Sequence, residues 1–282
     1  MFLVRQNNLR VSSFALFTAL GITGTATGVS AADLPVTEPP QDPTFDTARM
    51  NNEPAKPDWS LIVGGGGIYE PEYEGSDDLK VSPVPFVLFT YGEWLEIDPT
   101  GVTVTPLRHG DFSLSANVGY ESGRDASDHA DLRGLGGIDF AATLGAKASY
   151  EWGPVELYAA VDQTLGGSES LIGTIGVGYA APVTERLILE ANAEAILAND
   201  KHMDAYFGVN AAQSVASGLP QYKAEAGLKR VDVSVAATYL LSENWLIRGQ
   251  AGLGILTGDA ADSPIVKEKL QPSAQLFVGY KF

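Results

Sequence analysis

The sequence predicts an all-β chain, a transmembrane antiparallel β-barrel of about twelve strands with short periplasmic turns and longer extracellular loops. Three observations carry that reading. Apolar residues alternate with small or polar ones over repeated segments of ten to twelve residues, the length that crosses a bilayer when a strand is tilted. The connections between segments alternate between short and long. In the last segment Ala274, Leu276, Val278, Tyr280 and Phe282 fall on one side, and Gln275, Phe277, Gly279 and Lys281 on the other. In a water-soluble sheet this would be an exposed apolar edge. In a barrel it is the closing strand, with Leu276, Val278, Tyr280 and Phe282 turned to lipid.

Composition narrows the classes. The chain has 282 residues, no cysteine, 31 glycines and a formal charge of −17. The acidic balance argues against nucleic acid as a partner and against simple adhesion to anionic lipid. Mean hydropathy near zero with many glycines is what alternating strands produce. Residues 1–32 read as a signal peptide: Arg5 and Arg10 precede an apolar run from Val11 to Ile22, and small residues allow cleavage after Ala31 or Ala32. That run is too short for a spanning helix, which needs roughly 20 residues. Residues 33–57 carry Pro35, Pro39, Pro40, Pro43, Pro54 and Pro57 and few apolar side chains, the composition of a disordered periplasmic linker. The barrel is expected over 58–282.

The strands follow in order. Leu61, Val63, Gly65, Gly67 and Tyr69 share one face of the first, and Val81, Pro83, Pro85, Val87, Phe89 and Tyr91 one face of the second. Residues 93–107 read as two short strands bent at Asp98-Pro99-Thr100-Gly101; if this hairpin does not cross, the count is ten. Phe112 to Tyr120, Phe140 to Tyr150, Val155 to Val161, Leu171 to Tyr179 and Leu187 to Leu197 continue the period-two pattern. Val231 to Leu241, Trp245 to Ile255 and the closing strand complete it. Opposite faces bear Lys147, Glu156, Arg186, Glu190, Glu194 and Arg248, expected to neutralise one another across a narrow lumen. The long connections are 121–138, 198–230 and 257–270, which leaves both termini in the periplasm. Aromatics near the strand ends suit interfacial belts.

Several multi-residue motifs resemble the MipA/OmpV family of outer-membrane proteins. They are Gly64-Gly65-Gly66-Gly67-Ile68-Tyr69, then Tyr73, Glu74, Gly75, Ser76, Asp77 and Asp78, then Pro83-Val84-Pro85-Phe86. Gly123-Arg124, Leu132-Arg133-Gly134-Leu135, Tyr206-Phe207-Gly208-Val209, Ser217 to Tyr222 and Gly258 to Val266 match as well. The resemblance implies a barrel of the Gram-negative outer membrane, in contact with its lipid and lipopolysaccharide. It implies no enzymatic constellation and no cofactor. For some members it implies scaffolding between a murein-degrading lytic transglycosylase and a murein synthase. Others are treated as surface antigens, adhesins or porin-like proteins, so a narrow channel or an adhesin is the alternative. A monomer is expected.

The candidate chemistry is sparse. Glu70, Glu72, Glu74, Asp77 and Asp78 crowd the first outer loop without calcium-loop spacing, and are expected to be solvated and to bridge lipopolysaccharide cations. The Gly64–Gly67 run lacks a following helix or GK[ST] and is no phosphate cradle; in a strand such glycines allow curvature or close approach of luminal groups. His129 beside Asp125, Asp128 and Asp131, and His202 near Asp200 and Asp204, are expected to be exposed loop histidines. His109 falls on the periplasmic side.

Overall fold

The computed structural model describes residues 58–127 and 129–282; the leader over 1–32 and the linker over 33–57 lie outside them. Twelve strands run in chain order: β1 (Trp59–Pro71), β2 (Leu79–Tyr91), β3 (Leu95–Asp98), β4 (Gly101–His109), β5 (Phe112–Glu121), β6 (Ala141–Trp152), β7 (Val155–Leu165), β8 (Leu171–Pro182), β9 (Leu187–Ala198), β10 (Gly227–Leu240), β11 (Trp245–Leu256) and β12 (Leu270–Lys281). Each pairs antiparallel with its chain neighbour, and β12 returns to β1. Closure satisfies the edges that an open sheet would present to hydrocarbon, except along β2 beyond its three-residue pairing with β3.

Register fixes which side chains face out. Gly64 stands opposite Gly279 and Gly66 opposite Phe277, so the even residues of β1 share the lumen with the odd residues of β12. Leu276, Val278 and Phe282 are exposed on the outer surface and Tyr280 is half-buried there, while Gln271, Gln275 and Phe277 are buried inside. The hairpin β3–β4 takes its place in the closed wall although β3 has only four residues. Its tip is held by the Asp98 carboxylate, which accepts from the Thr100 amide and hydroxyl at 2.6 Å each.

The lumen is not uniformly polar. Ile62, Val84, Phe86, Leu88, Leu246 and Phe277 form a buried apolar cluster on the inner face of β11, β12, β1 and β2. The rings of Phe86 and Phe277 meet edge to face at 5.4 Å between centroids. Gly64 and Gly66 make room for them and for the facing backbone of β12: a Cβ on Gly64 would clash with the Val278 carbonyl oxygen and lie 2.6 Å from the Phe86 ring, and one on Gly66 would clash with the Leu276 carbonyl oxygen and lie 2.5 Å from the Phe277 ring. The glycine run thus serves close luminal packing. Elsewhere the lumen is cross-linked by polar pairs. Lys147 Nζ reaches Glu156 at 2.7 Å, the Tyr158 hydroxyl donates to Glu194 at 2.6 Å, and Arg248 pairs with Glu190. Arg186 does not join them; it is exposed in the turn between β8 and β9.

The two ends differ. All four tryptophans, Trp59, Trp94, Trp152 and Trp245, lie exposed at the end that carries the short turns. At the other end the long connections fold over the mouth. Among the described residues they carry three α-helices, α1 (Asp200–Phe207), α2 (Ala211–Ser217) and α3 (Gly258–Ala261), and a short 3-10 helix at Ala130–Leu132. The connection expected over 198–230 is shorter than the sequence suggested, because β10 begins at Gly227.

Candidate functional site

The long connections form a lid with its own apolar core. Tyr73 from residues 72–78, Leu132 and Leu135 from 122–140, Val209 from 199–226 and Ile265 from 257–269 are all buried against one another. A second cluster joins Met203 and Phe207 of α1 to Leu256 at the rim and to Ala260 and Ala261 of α3. Polar bonds staple the same segments: the Tyr73 hydroxyl donates to the Ile265 carbonyl at 3.3 Å, the Ser263 hydroxyl to the Phe207 carbonyl at 2.6 Å, and the Tyr222 hydroxyl to the Asp259 carbonyl at 2.8 Å. Arg124 donates to the carbonyls of Tyr206 and Ala205 at 3.0 and 3.2 Å, closing the C-terminal end of α1 with a cation. The motif segments that hold Tyr73, Leu132, Leu135, Phe207, Val209, Tyr222 and Val266 therefore meet in the lid, whereas Gly64–Tyr69 and Pro83–Phe86 lie in the wall.

Beneath the lid lies a buried knot of charge. A bulge makes it: the β9–β10 register slips between Leu228 and Arg230, so Lys229 is the extra residue. Leu228 is exposed outside, whereas Lys229 and Arg230 both turn inward and are buried. Both reach Glu74, with Lys229 Nζ at 3.1 Å from Oε2 and Arg230 Nη1 at 3.0 Å from Oε1. The Glu74 side chain is only 10% exposed. Arg230 also binds Asp232 at 2.7 Å. Burial alone would raise the Glu74 carboxyl, but the Lys229 and Arg230 cations outweigh it and hold the group at about 2.

A hydrogen-bond chain runs on from Lys229. His202, 4% exposed, places Nε2 3.1 Å from Lys229 Nζ and Nδ1 2.8 Å from the Ser170 hydroxyl. Burial first, then the Lys229 ammonium, hold its imidazole well below the usual range, so the ring is neutral. An ammonium only donates; Nε2 must accept and Nδ1 carries the proton. Nδ1–H therefore donates to Ser170, which meets Ser168, whose hydroxyl donates to Glu121. Ser170 has no base in this arrangement, because the nitrogen beside it is already protonated. The chain ties residues 166–170 and α1 to the rim.

Several sequence expectations are corrected here. Glu74 is paired and buried, not solvated, and Tyr73 and Ser76 are buried with it; Asp77 and Asp78 of the same loop are exposed. Gly75 has φ +98°, and a Cβ there would meet Val266 at 2.6 Å. His202 is buried in a helix that opens with the Asn199 side chain accepting from its amide. His129 is half-buried, with Nδ1 2.7 Å from Glu72 Oε2. His109 sits exposed at the end of β4. Sequence reasoning missed Ser168, Ser170, Glu121 and Lys229 altogether.

The family model described as MltA-interacting protein MipA matches residues 63–282. The chain belongs to the MipA family. Two relatives named YiaT, from Escherichia coli strain K12 and Escherichia coli O157:H7, are placed in the outer membrane by their names. Each is 25% identical, over 212 and 211 residues, covering 73% of this chain and 84% of theirs. Among solved structures the chain is similar to the NanC porin, with TM-score 0.43 and 8% identity over 79% of this chain and 100% of that one. It is also similar to the translocator domain of autotransporter NalP from Neisseria meningitidis, with TM-score 0.41 and 11% identity over 82% and 90%. This MipA-family protein is an outer-membrane β-barrel.

Proposed function

We propose that the protein is a non-enzymatic, monomeric scaffold of the envelope, which offers its periplasmic turns and residues 33–57 to murein-remodelling enzymes and links a hydrolase to a synthase. The observation that carries this reading is membership of a family described by its interaction with MltA. The interlocked lid and the cross-linked lumen support it, since both favour a closed body over a conduit. The protonated Nδ1 beside Ser170 supports the non-enzymatic part. The exposed pair Asp77 and Asp78 is the part of the acidic loop left to meet the cations of lipopolysaccharide. Pull-down from solubilised envelopes with the full chain, and with residues 33–57 deleted, tests the proposal. Recovery of a murein hydrolase or synthase by the full chain is expected, with loss on deletion if 33–57 is the docking segment. Recovery by neither removes the idea. Planar-bilayer recording should stay silent; steady single-channel steps from folded protein would favour the narrow channel instead.

A further inference from the structure

One stretch of the wall lacks a neighbour. Because β3 is so short, its pairing with β2 covers only Phe89, Thr90 and Tyr91, and among the described residues no strand lies opposite β2 from Val81 to Val87 on that side. The ladder shows which peptide groups face the gap. The Phe282 amide donates to the Leu61 carbonyl, and the Gly92 amide to the Asp58 carbonyl. With the registers of β1 against β12 and β2, the even residues of β2 bond β1 and the odd ones point away. Val81, Pro83, Pro85 and Val87 therefore direct their backbone into the gap. At two of these four positions proline removes the N–H that hydrocarbon would leave unsatisfied.

The gap is framed on its other sides. Below lies the β3–β4 tip, where the Tyr120 hydroxyl donates to the Pro99 carbonyl at 3.0 Å. Tyr120 stacks on Phe140, which is 66% exposed. Above, residues 122–140 cross to residues 72–78 through the His129–Glu72 contact. Val81, 71% exposed, borders the opening from the side of β2. The lumen behind is the apolar cluster, to which the even residues Val84, Phe86 and Leu88 of β2 belong.

We propose that this opening is a lateral port that seats the acyl chain of an outer-leaflet lipid against β2 and Phe140 and brings it to the apolar luminal face. A second copy adding a strand is disfavoured, because prolines at alternate positions cannot complete a ladder. Residues 33–57 are disfavoured too: Asp33, Glu38, Asp42, Asp46 and Glu53 outnumber Arg49 and Lys56, and the segment joins the barrel at the turn end. The port lies in the half nearer the lid, and the residues of β2 and Phe140 that border it, Val81, Pro83, Pro85 and Val87 among them, are apolar.

The test uses a photoreactive benzoylphenylalanine in place of Ser82, a luminal position on β2, in the full chain refolded into phosphatidylcholine vesicles. The control carries it in place of Ser234, luminal on β10, which is paired on both sides. After irradiation, lipid adducts at position 82 should exceed those at 234 several-fold by mass spectrometry. Equal yields overturn the proposal, as do adducts at 82 to residues 33–57 or to a second chain. Heat-modifiable migration on gels confirms folding of each variant, and Val84 is the second labelling position if the Ser82 variant does not fold.

Discussion

Glu74→Gln is the most informative single change. It leaves Lys229 without its carboxylate and Arg230 with Asp232 alone. Removing one partner of a buried ion pair costs about 3–5 kcal/mol, because the other charge stays behind uncompensated. An independent route gives a similar size: holding the Glu74 carboxyl at about 2 against an ordinary 4.5 corresponds to about 3 kcal/mol. The process opposed is local opening of the lid, not unfolding of the barrel. The open population should then rise on the order of 10²-fold, at 1.4 kcal/mol per factor of ten. Trypsin cleavage at Arg133, Lys201 and Lys223 in the lid, followed under native conditions, reads this directly. The barrel should keep its heat-modifiable migration. The sign with pH follows from a folded value below the unfolded one. The contribution is complete above about 4.5 and is lost as pH falls toward 2, so amide exchange in the wild-type lid, taken relative to the intrinsic rate at each pH, should accelerate over that window. In Glu74→Gln the acceleration should be missing. If the variant lid is cut less than about tenfold faster than wild type, a difference below 1.4 kcal/mol, the knot does not hold the lid.

Other expectations use different parts of the molecule. Gly64→Ala and Gly66→Ala should each cost about 1–3 kcal/mol by overpacking, read as a lower urea midpoint, while Gly65→Ala on the lipid side, with its nearest neighbour 3.8 Å away, should be near neutral; equal effects would refute the luminal packing. Deleting Lys229 restores the β9–β10 register and removes one cation of the knot, so the barrel should stay folded while the lid becomes trypsin-sensitive; loss of the barrel instead would mean that the bulge is needed for closure. His202 should be a neutral Nδ1–H ring at pH 6.5, where an ordinary imidazole is half protonated, in nitrogen-15 spectra of the solubilised protein, and an imidazolium signal there would overturn the direction of the chain through Ser170.

Much of the barrel was legible from side-chain period alone, because one wet or packed face and one lipid face force alternation on every strand. What escaped had no such period. The lid core draws single residues from four distant segments, such as Tyr73, Leu132, Val209 and Ile265, and no window along the chain shows them together. Motif resemblance located those segments without saying that they touch. The bulge left a trace in the adjacent pair Lys229-Arg230, two cations where alternation allows one inward position, but that stretch read as loop. His202 looked exposed because Asp200 and Asp204 flank it. Asn199 as a helix cap, with Met203 and Phe207 four apart, was the available signal for a buried face. The apolar lumen had a trace too: Val84 to Phe89 contains Val, Pro, Phe, Val, Leu and Phe with no polar residue, the mark of a strand covered on both sides.

The placing of all four tryptophans at the turn end decides what light can report. Indole emission from this protein tracks insertion of that rim into the membrane interface and is blind to movements at the opposite pole. Tyr73, Tyr206 and Tyr222 are the chromophores stationed there, so a spectroscopist following the lid should watch phenol absorbance, or install a fifth indole among them.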